Sequence, residues 1–248
     1  MALVELRDIS LIYHSRDGET EAIKDVNLGI DEKEFVAIVG PSGSGKTTLL
    51  KITAGLIAPS GGRIIKSDDV KIAYMPQRDG LFEWRSVIRN VLLQPEIAGT
   101  NMKLAREYAE ELLEKYGLKD FEKKRPSELS GGMRQRVALI RTLVSKPDLM
   151  LLDEPFSALD FQTRLYVCDD VLRIIKAERK TAVLVTHDIS EAVSMADRII
   201  VLSSRPARVK SEYRIGLDKN LSPLKRRELK NFSAYFKNIW TDMEAPDE

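Results

Sequence analysis

Gly40-Pro41-Ser42-Gly43-Ser44-Gly45-Lys46-Thr47 has the spacing G-x-x-x-x-G-K-[ST]. Glycines spaced in this way let backbone N–H groups curl around phosphate oxygens. A helix opening at Lys46, with Thr48 in its first turn, would add partial positive charge at its N-terminus. Lys46 would reach β- and γ-phosphates, and the Thr47 hydroxyl would ligate Mg²⁺. Such a loop needs an acid at the end of a neighbouring strand. Leu149-Met-Leu-Leu-Asp153-Glu154 supplies two. Asp153 is placed to hold Mg²⁺, and Glu154 could activate an attacking water. A second anion site is written at Ser130-Gly131-Gly132, where a serine cap and two glycines open a helix rich in Arg134, Arg136 and Arg141.

The elements that must hold these residues follow from the apolar patterning. Phe35–Val39, Leu149–Leu152, Ala182–Val185 and Ile199–Leu202 are short continuous apolar runs, suited to strands buried on both faces of a mostly parallel sheet. Each is separated from the next by enough chain for a helix, the pattern of an α/β domain. Val26, Leu28 and Ile30 alternate as in a half-buried strand, and two such segments joined near Asp17-Gly18 predict an antiparallel hairpin or small sheet. Residues 86–146 break the pattern and read as a helical insert, with Leu104, Tyr108, Leu112 and Leu113 expected on one helical face. Ser145-Lys-Pro-Asp148 faintly resembles a guanine-reading loop. It precedes the Asp153 strand rather than following it, so it reads as a helix-to-strand turn stopped by Pro147. The expected division is a core of 1–85 and 147–220, the insert 86–146, and a tail 221–248. In the tail, Leu229, Phe232, Phe236, Ile239 and Trp240 recur at helical spacing. That helix either docks on its own domain or presents a partner- or membrane-facing surface.

Composition narrows the class. The 248 residues carry a formal net charge of +1, which argues against broad nucleic-acid binding. No apolar run exceeds the five residues Phe35–Val39, against the roughly 20 needed to span a bilayer. The N-terminus carries Glu5 where a signal peptide would be apolar, so export is not expected. The single cysteine, Cys168, excludes an intrachain disulfide, fits a reducing compartment and is assigned no chemistry.

With Leu129-Ser-Gly-Gly-Met-Arg-Gln135 added to the phosphate loop and the acid pair, the chain from about Leu3 to Arg214 resembles the ATP-binding cassette (ABC) family. The resemblance extends to Gln77 after the strand Lys71–Met75, Ser157-Ala-Leu-Asp160 after the acid pair, His187 after Thr186, and Tyr13 upstream. All occur in the family's order. It implies an α/β phosphate-loop ATPase core with a small antiparallel β subdomain and a helical insert. ATP would be sandwiched between Gly40–Thr47 of one cassette and Ser130–Gly132 of a second, with Asp160 along the interface. Tyr13 would stack on adenine, Gln77 would contact Mg²⁺ and the attacking water, and His187 would approach the γ-phosphate. Lys46, Gln77, Glu154 and His187 would be the catalytic set; Thr47, Gln77 and Asp153 the metal set.

Gly80-Leu-Phe-Glu-Trp84-Arg-Ser-Val-Ile-Arg-Asn90-Val91 and Ser204-Arg-Pro-Ala-Arg-Val209 look like segments of importer ATPases of the nitrate, sulfonate and taurine type. Glu83 stands for the usual proline and Ala207 for glycine. The resemblance therefore implies a peripheral subunit on the cytoplasmic face of the inner membrane. Separate permease subunits would dock on exposed Leu81, Phe82 and Trp84, and a substrate-binding protein would deliver cargo. The rival reading is a soluble ABC ATPase serving as an assembly scaffold, as in iron–sulfur cluster biogenesis.

Overall fold

The computed structural model describes residues 2–15 and 18–246. β1 (Ala2–Ser15) and β2 (Gly18–Asp31) pair antiparallel, with Val4 opposite Ile30 and Leu6 opposite Leu28. Residues 16 and 17, including the Asp17 of the expected turn, lie outside the described residues. The chain continues through β3 (Phe35–Val39), α1 (Lys46–Thr53), β4 (Gly61–Lys66) and β5 (Ile72–Met75). The helices α2 (Val87–Val91), α3 (Leu93–Ile97), α4 (Met102–Lys115) and α5 (Gly131–Leu143) follow. Then come β6 (Leu149–Asp153), α6 (Phe161–Ala177), β7 (Thr181–Val185), α7 (Ile189–Met195), β8 (Arg198–Leu202) and β9 (Val209–Arg214). The short α8 (Pro223–Arg226) and α9 (Phe232–Glu244) end the chain.

Among the described residues these strands form two sheets. One is antiparallel, β2-β1-β4; the other runs β5-β6-β7-β3-β8-β9, parallel except where β9 closes the edge against β8. Strands β3, β6, β7 and β8 are buried at every position, the result expected of continuous apolar runs covered on both faces. Their side chains divide by the strand period of two. Val36 and Ile38 join α1's Leu49, Leu50 and Ile52 and the small sheet in one apolar layer. Phe35, Ala37 and Val39 join the helices of the other face in a second layer. Each fully buried Val, Leu or Ile contributes about 1.5–3 kcal/mol relative to exposure.

Two expectations, one in the insert and one just before it, need correction. Ala109, Leu112 and Leu113 are buried on α4, but Leu104 is 62% exposed. It lies eight residues before Leu112, about 80° round the helix and off the apolar stripe. Leu81 is not exposed: at 7% it belongs to the core with Val87, Ile88 and Val91. Its backbone N–H donates to Asp79 Oδ1 (2.9 Å), and the next N–H, of Phe82, donates to buried Asn90 Oδ1 (2.7 Å). Asn90 returns donors to the carbonyls of Phe82, Arg85 and Ser86, so the segment is pinned with Leu81 turned inward. Phe82 is half-buried and stacks on Trp84 at 4.7 Å, and Trp84 is 72% exposed.

The tail helix α9 docks on its own chain. Ile239 is fully buried, and Phe232, Tyr235 and Phe236 pack on the same core, while Trp240 stays about half exposed. Buried Arg226 fastens the approach to it by donating to the carbonyls of Asp218 (3.0 Å) and Ser194 (3.1 Å). Cys168 is buried, which pushes its thiol well above the usual range and fits a purely structural place. No helix among the described residues is long and apolar enough to cross a membrane.

Candidate functional site

The glycine-rich loop joins the C-terminal end of β3 to α1. Gly43 (φ 75°) and Gly45 (φ 94°) occupy left-handed backbone that only glycine enters without strain. Gly40 is fixed by space, since a Cβ there would sit 2.9 Å from the Leu202 carbonyl oxygen. Lys46 is buried and arches back over the loop, its Nζ donating to the carbonyls of Gly40 (2.9 Å) and Pro41 (2.8 Å). Burial pulls its pKa below the ordinary lysine value, against the upward pull of Glu154 and Asp153.

Asp153 ends β6 beside the loop and is buried. Its Oδ1 accepts from the Thr47 hydroxyl (2.8 Å), and its Oδ2 from the Tyr74 hydroxyl (2.7 Å). Burial first, and the Asp153 carboxylate second, push the Tyr74 phenol above its usual range. Tyr74 has no signal in the chain; only the β5–β6 pairing, which sets it opposite Leu151, brings it there.

Glu154 follows at φ 43°, a position that costs a non-glycine residue about 1–3 kcal/mol and that clusters at functional sites. Its Oε2 accepts from Gln77 Nε2 (3.1 Å) and lies 3.2 Å from His187 Nδ1. Three residues from three strand ends thus meet on one carboxylate oxygen.

The loop and the Glu154 cluster face a cavity of about 620 Å³, which Asp153 and Tyr74 do not line. Tyr13, Ser42, Gly43, Gly45, Lys46, Thr47, Thr48, Gln77, Glu154 and His187 line it. Thr20, Ala22 and Arg205 line it too, without having been expected. Thr20 could have been found, because the hairpin register pairs it with Tyr13. Arg205 could not, because it arrives from the β8–β9 loop. Gly40, Pro41 and Ser44, also expected in the binding set, do not line the cavity. His14 is exposed beside Glu19, as a surface residue.

Ser130, Gly131, Gly132 and Asp160 do not line this cavity. Ser130 caps α5 by accepting from Met133 N (3.4 Å), and Asp160 caps α6 by accepting from Thr163 N (3.0 Å). The two caps are packed together, since a Cβ on Gly131 would meet Leu159 at 3.0 Å and one on Gly132 would meet Val167 at 3.0 Å. One chain therefore holds a phosphate loop and, outside its cavity, a separate pair of helix caps at Ser130 and Asp160.

Behind His187 lies a buried carboxyl. Glu191 Oε2 accepts from the Thr186 hydroxyl (2.6 Å), and Oε1 is 3.7 Å from Arg164 Nε. Burial pushes its carboxyl from 4.5 up to about 7. Between those values the folded protein holds a proton that the unfolded chain has lost, so stability falls as pH rises through that window. Relative to wild type, Glu191→Gln should therefore gain about 2 kcal/mol between pH 5 and pH 7.5. Denaturant melts at both pH values check this; a difference that does not change with pH contradicts it.

The donor set suits a triphosphate and a hard cation. The loop offers N–H groups and an ammonium, while Thr47 and Asp153 offer hydroxyl and carboxylate oxygens. Among the described residues there is no cluster of three or more His, Cys, Asp or Glu that could hold a metal ion.

The family model described as ABC transporter matches residues 23–157. An ABC transporter ATP-binding protein of Bacillus subtilis (strain 168), YtlC, is 43% identical over 99% of this chain and 97% of its own length. The taurine import ATP-binding protein TauB of Roseobacter denitrificans is 39% identical over 91% of this chain and 89% of its own. The dimeric structure of the ABC transporter cassette MJ0796 superposes with a TM-score of 0.72 at 33% identity, covering 86% of this chain and 98% of that one. The same cassette is also known in a post-hydrolysis state bound to ADP and Pi. The chain belongs to the ABC transporter family, as an ATP-binding cassette that hydrolyses ATP.

Proposed function

We propose that this chain is the ATPase subunit of an importer for a small anionic solute of the taurine, sulfonate or nitrate kind, working as a pair of identical cassettes. One observation carries the ATPase roles. The phosphate loop and the Gln77–Glu154–His187 cluster converge on one cavity, with Asp153 bonded to Thr47 behind its wall, while the Ser130 and Asp160 caps lie outside it.

Gly40–Thr48 cradle the triphosphate and Tyr13 stacks on adenine. On binding, Lys46 exchanges its carbonyl partners for β- and γ-phosphate oxygens. Thr47, Asp153 and Gln77 would hold Mg²⁺, which would neutralise phosphate charge when bound. Glu154 orients the attacking water and takes its proton, and His187 holds the γ-phosphate side of the cluster. Ser130–Gly132 of a second copy close over the γ-phosphate, with Asp160 at the seam.

Importer function rests on likeness to relatives such as the taurine import protein and on the segments at 80–91 and 204–209. The chain then sits peripherally on the cytoplasmic face of the inner membrane beside permease subunits. A substrate-binding protein reaches it only through them. With Leu81 buried, the permease contact falls to the Phe82–Trp84 stack. The lobes divide as 1–85 with 147–220, the insert 86–146, and the tail 221–248.

Affinity purification from detergent-solubilised cells should recover an integral-membrane partner, and Trp84→Ala should weaken that recovery several-fold with ATP binding intact. Loss of the gene should abolish uptake of one small anion. Recovery of soluble scaffold proteins alone, with uptake unchanged, contradicts the importer reading.

A further inference from the structure

The loop between β8 and β9 does not turn back as a plain hairpin. It leans onto β2, where Ala207 N donates to the Ala22 carbonyl (3.0 Å) and Lys24 N donates to the Ala207 carbonyl (3.0 Å). Its base is closed by Ser203 N donating to the Arg208 carbonyl (3.0 Å) and Arg208 N donating to Ser203 Oγ (2.9 Å). Ser203 and Ala207 are buried, so the loop is anchored at both ends. Ala22, its docking point, is itself a wall of the nucleotide cavity.

The anchoring carries Arg205 to the phosphate loop. Its Nη2 lies 3.5 Å from the Gly43 carbonyl oxygen, and the side chain lines the cavity beside Gly43 and Lys46. Among the described residues no carboxylate pairs with it. A guanidinium without an acid, held at the rim of a loop built for phosphate, is matched to a phosphate oxygen pair. Lys46 is a compact cation whose proton is weakened by burial. An arginine keeps its charge at any pH the protein survives, so the two cations are complementary rather than redundant.

We propose that Arg205 is a further nucleotide-binding residue, which holds phosphate oxygens of the bound nucleotide from the β8–β9 loop. This deepens the nucleotide-site reading and rests on it. The loop's anchors at Ser203 and Ala207 are positioning contacts for Arg205, independent of its side chain, so the guanidinium can be removed without releasing the loop.

The test is calorimetric binding of ATP and ADP to the full chain, with adenosine measured by competition. Arg205→Ala and Arg205→Gln should weaken ATP and ADP about 10-fold and adenosine less than twofold. Arg205→Lys should recover part of the loss, and melting temperatures without nucleotide should not move. Equal loss for adenosine, or ATP affinity within twofold of wild type, overturns the assignment. Lys46→Ala, run alongside, separates the two readings. If Lys46→Ala also leaves ATP binding unchanged, the nucleotide-site reading has failed. If only Lys46→Ala weakens it, the Arg205 assignment alone has failed.

Discussion

Glu154→Gln is expected to lower ATP hydrolysis about 10²–10⁴-fold while ATP affinity stays within about twofold. Glutamine keeps the shape of the side chain and can still accept from Gln77, which reaches Oε2 at 3.1 Å. What it loses is the capacity to take a proton from water. Asp153, bound to Thr47 and Tyr74 through both oxygens, is not free to substitute for it. Lys46 and Thr47 are untouched, so nucleotide binding should persist. With binding intact and hydrolysis lost, two cassettes should stay joined around ATP. Phosphate release in a single turnover and a sizing run with ATP check both halves. Unchanged turnover would remove Glu154 from its role.

Much of this site could be read in the chain because its parts are local in sequence. The phosphate loop, the Asp153-Glu154 pair and the Ser130 cap are short segments whose spacing carries their chemistry. The same holds for the strands, where unbroken apolar runs such as Phe35–Val39 proved buried at every residue. What was not legible depends on contacts between distant segments. Leu81 looks like its aromatic neighbours in sequence, yet Asn90, nine residues on, turns it into the core. Leu104 falls off the α4 stripe because a window of apolar residues does not fix which of them faces inward. Tyr74 reaches Asp153 only through strand pairing, and Arg205 reaches Gly43 across a separation of 162 residues. Buried Glu191 lies 3.7 Å from half-buried Arg164 across two helices, and nothing in either local segment announces it. Residues that act within a short local motif were visible; residues that reach the site from a distant segment, Arg205 and Tyr74 among them, were not.

The second large effect follows from the separation of the two anion sites. Lys46→Ala removes the loop's ammonium, and ATP affinity should fall about 100-fold, since charge-assisted bonds to phosphate are lost in a buried site. Ser130→Asp should fold normally, because aspartate caps helices as well as serine does and suits the helix dipole. It would nonetheless set a carboxylate where a γ-phosphate must come, and hydrolysis should be lost with nucleotide binding by the single chain retained. If each chain supplied a whole site, neither variant could help the other. If the site is shared, a mixed dimer has one spoiled site, with both changes in it, and one intact site.

The most direct measurement is therefore the ATPase rate of Lys46→Ala and Ser130→Asp chains, each alone and mixed in equal amounts. A composite site predicts two inactive proteins whose mixture recovers about a quarter of the wild-type rate, since half the dimers are mixed and each has one intact site of two. A mixture no more active than the mean of its parts would contradict an ATP site completed by a second copy.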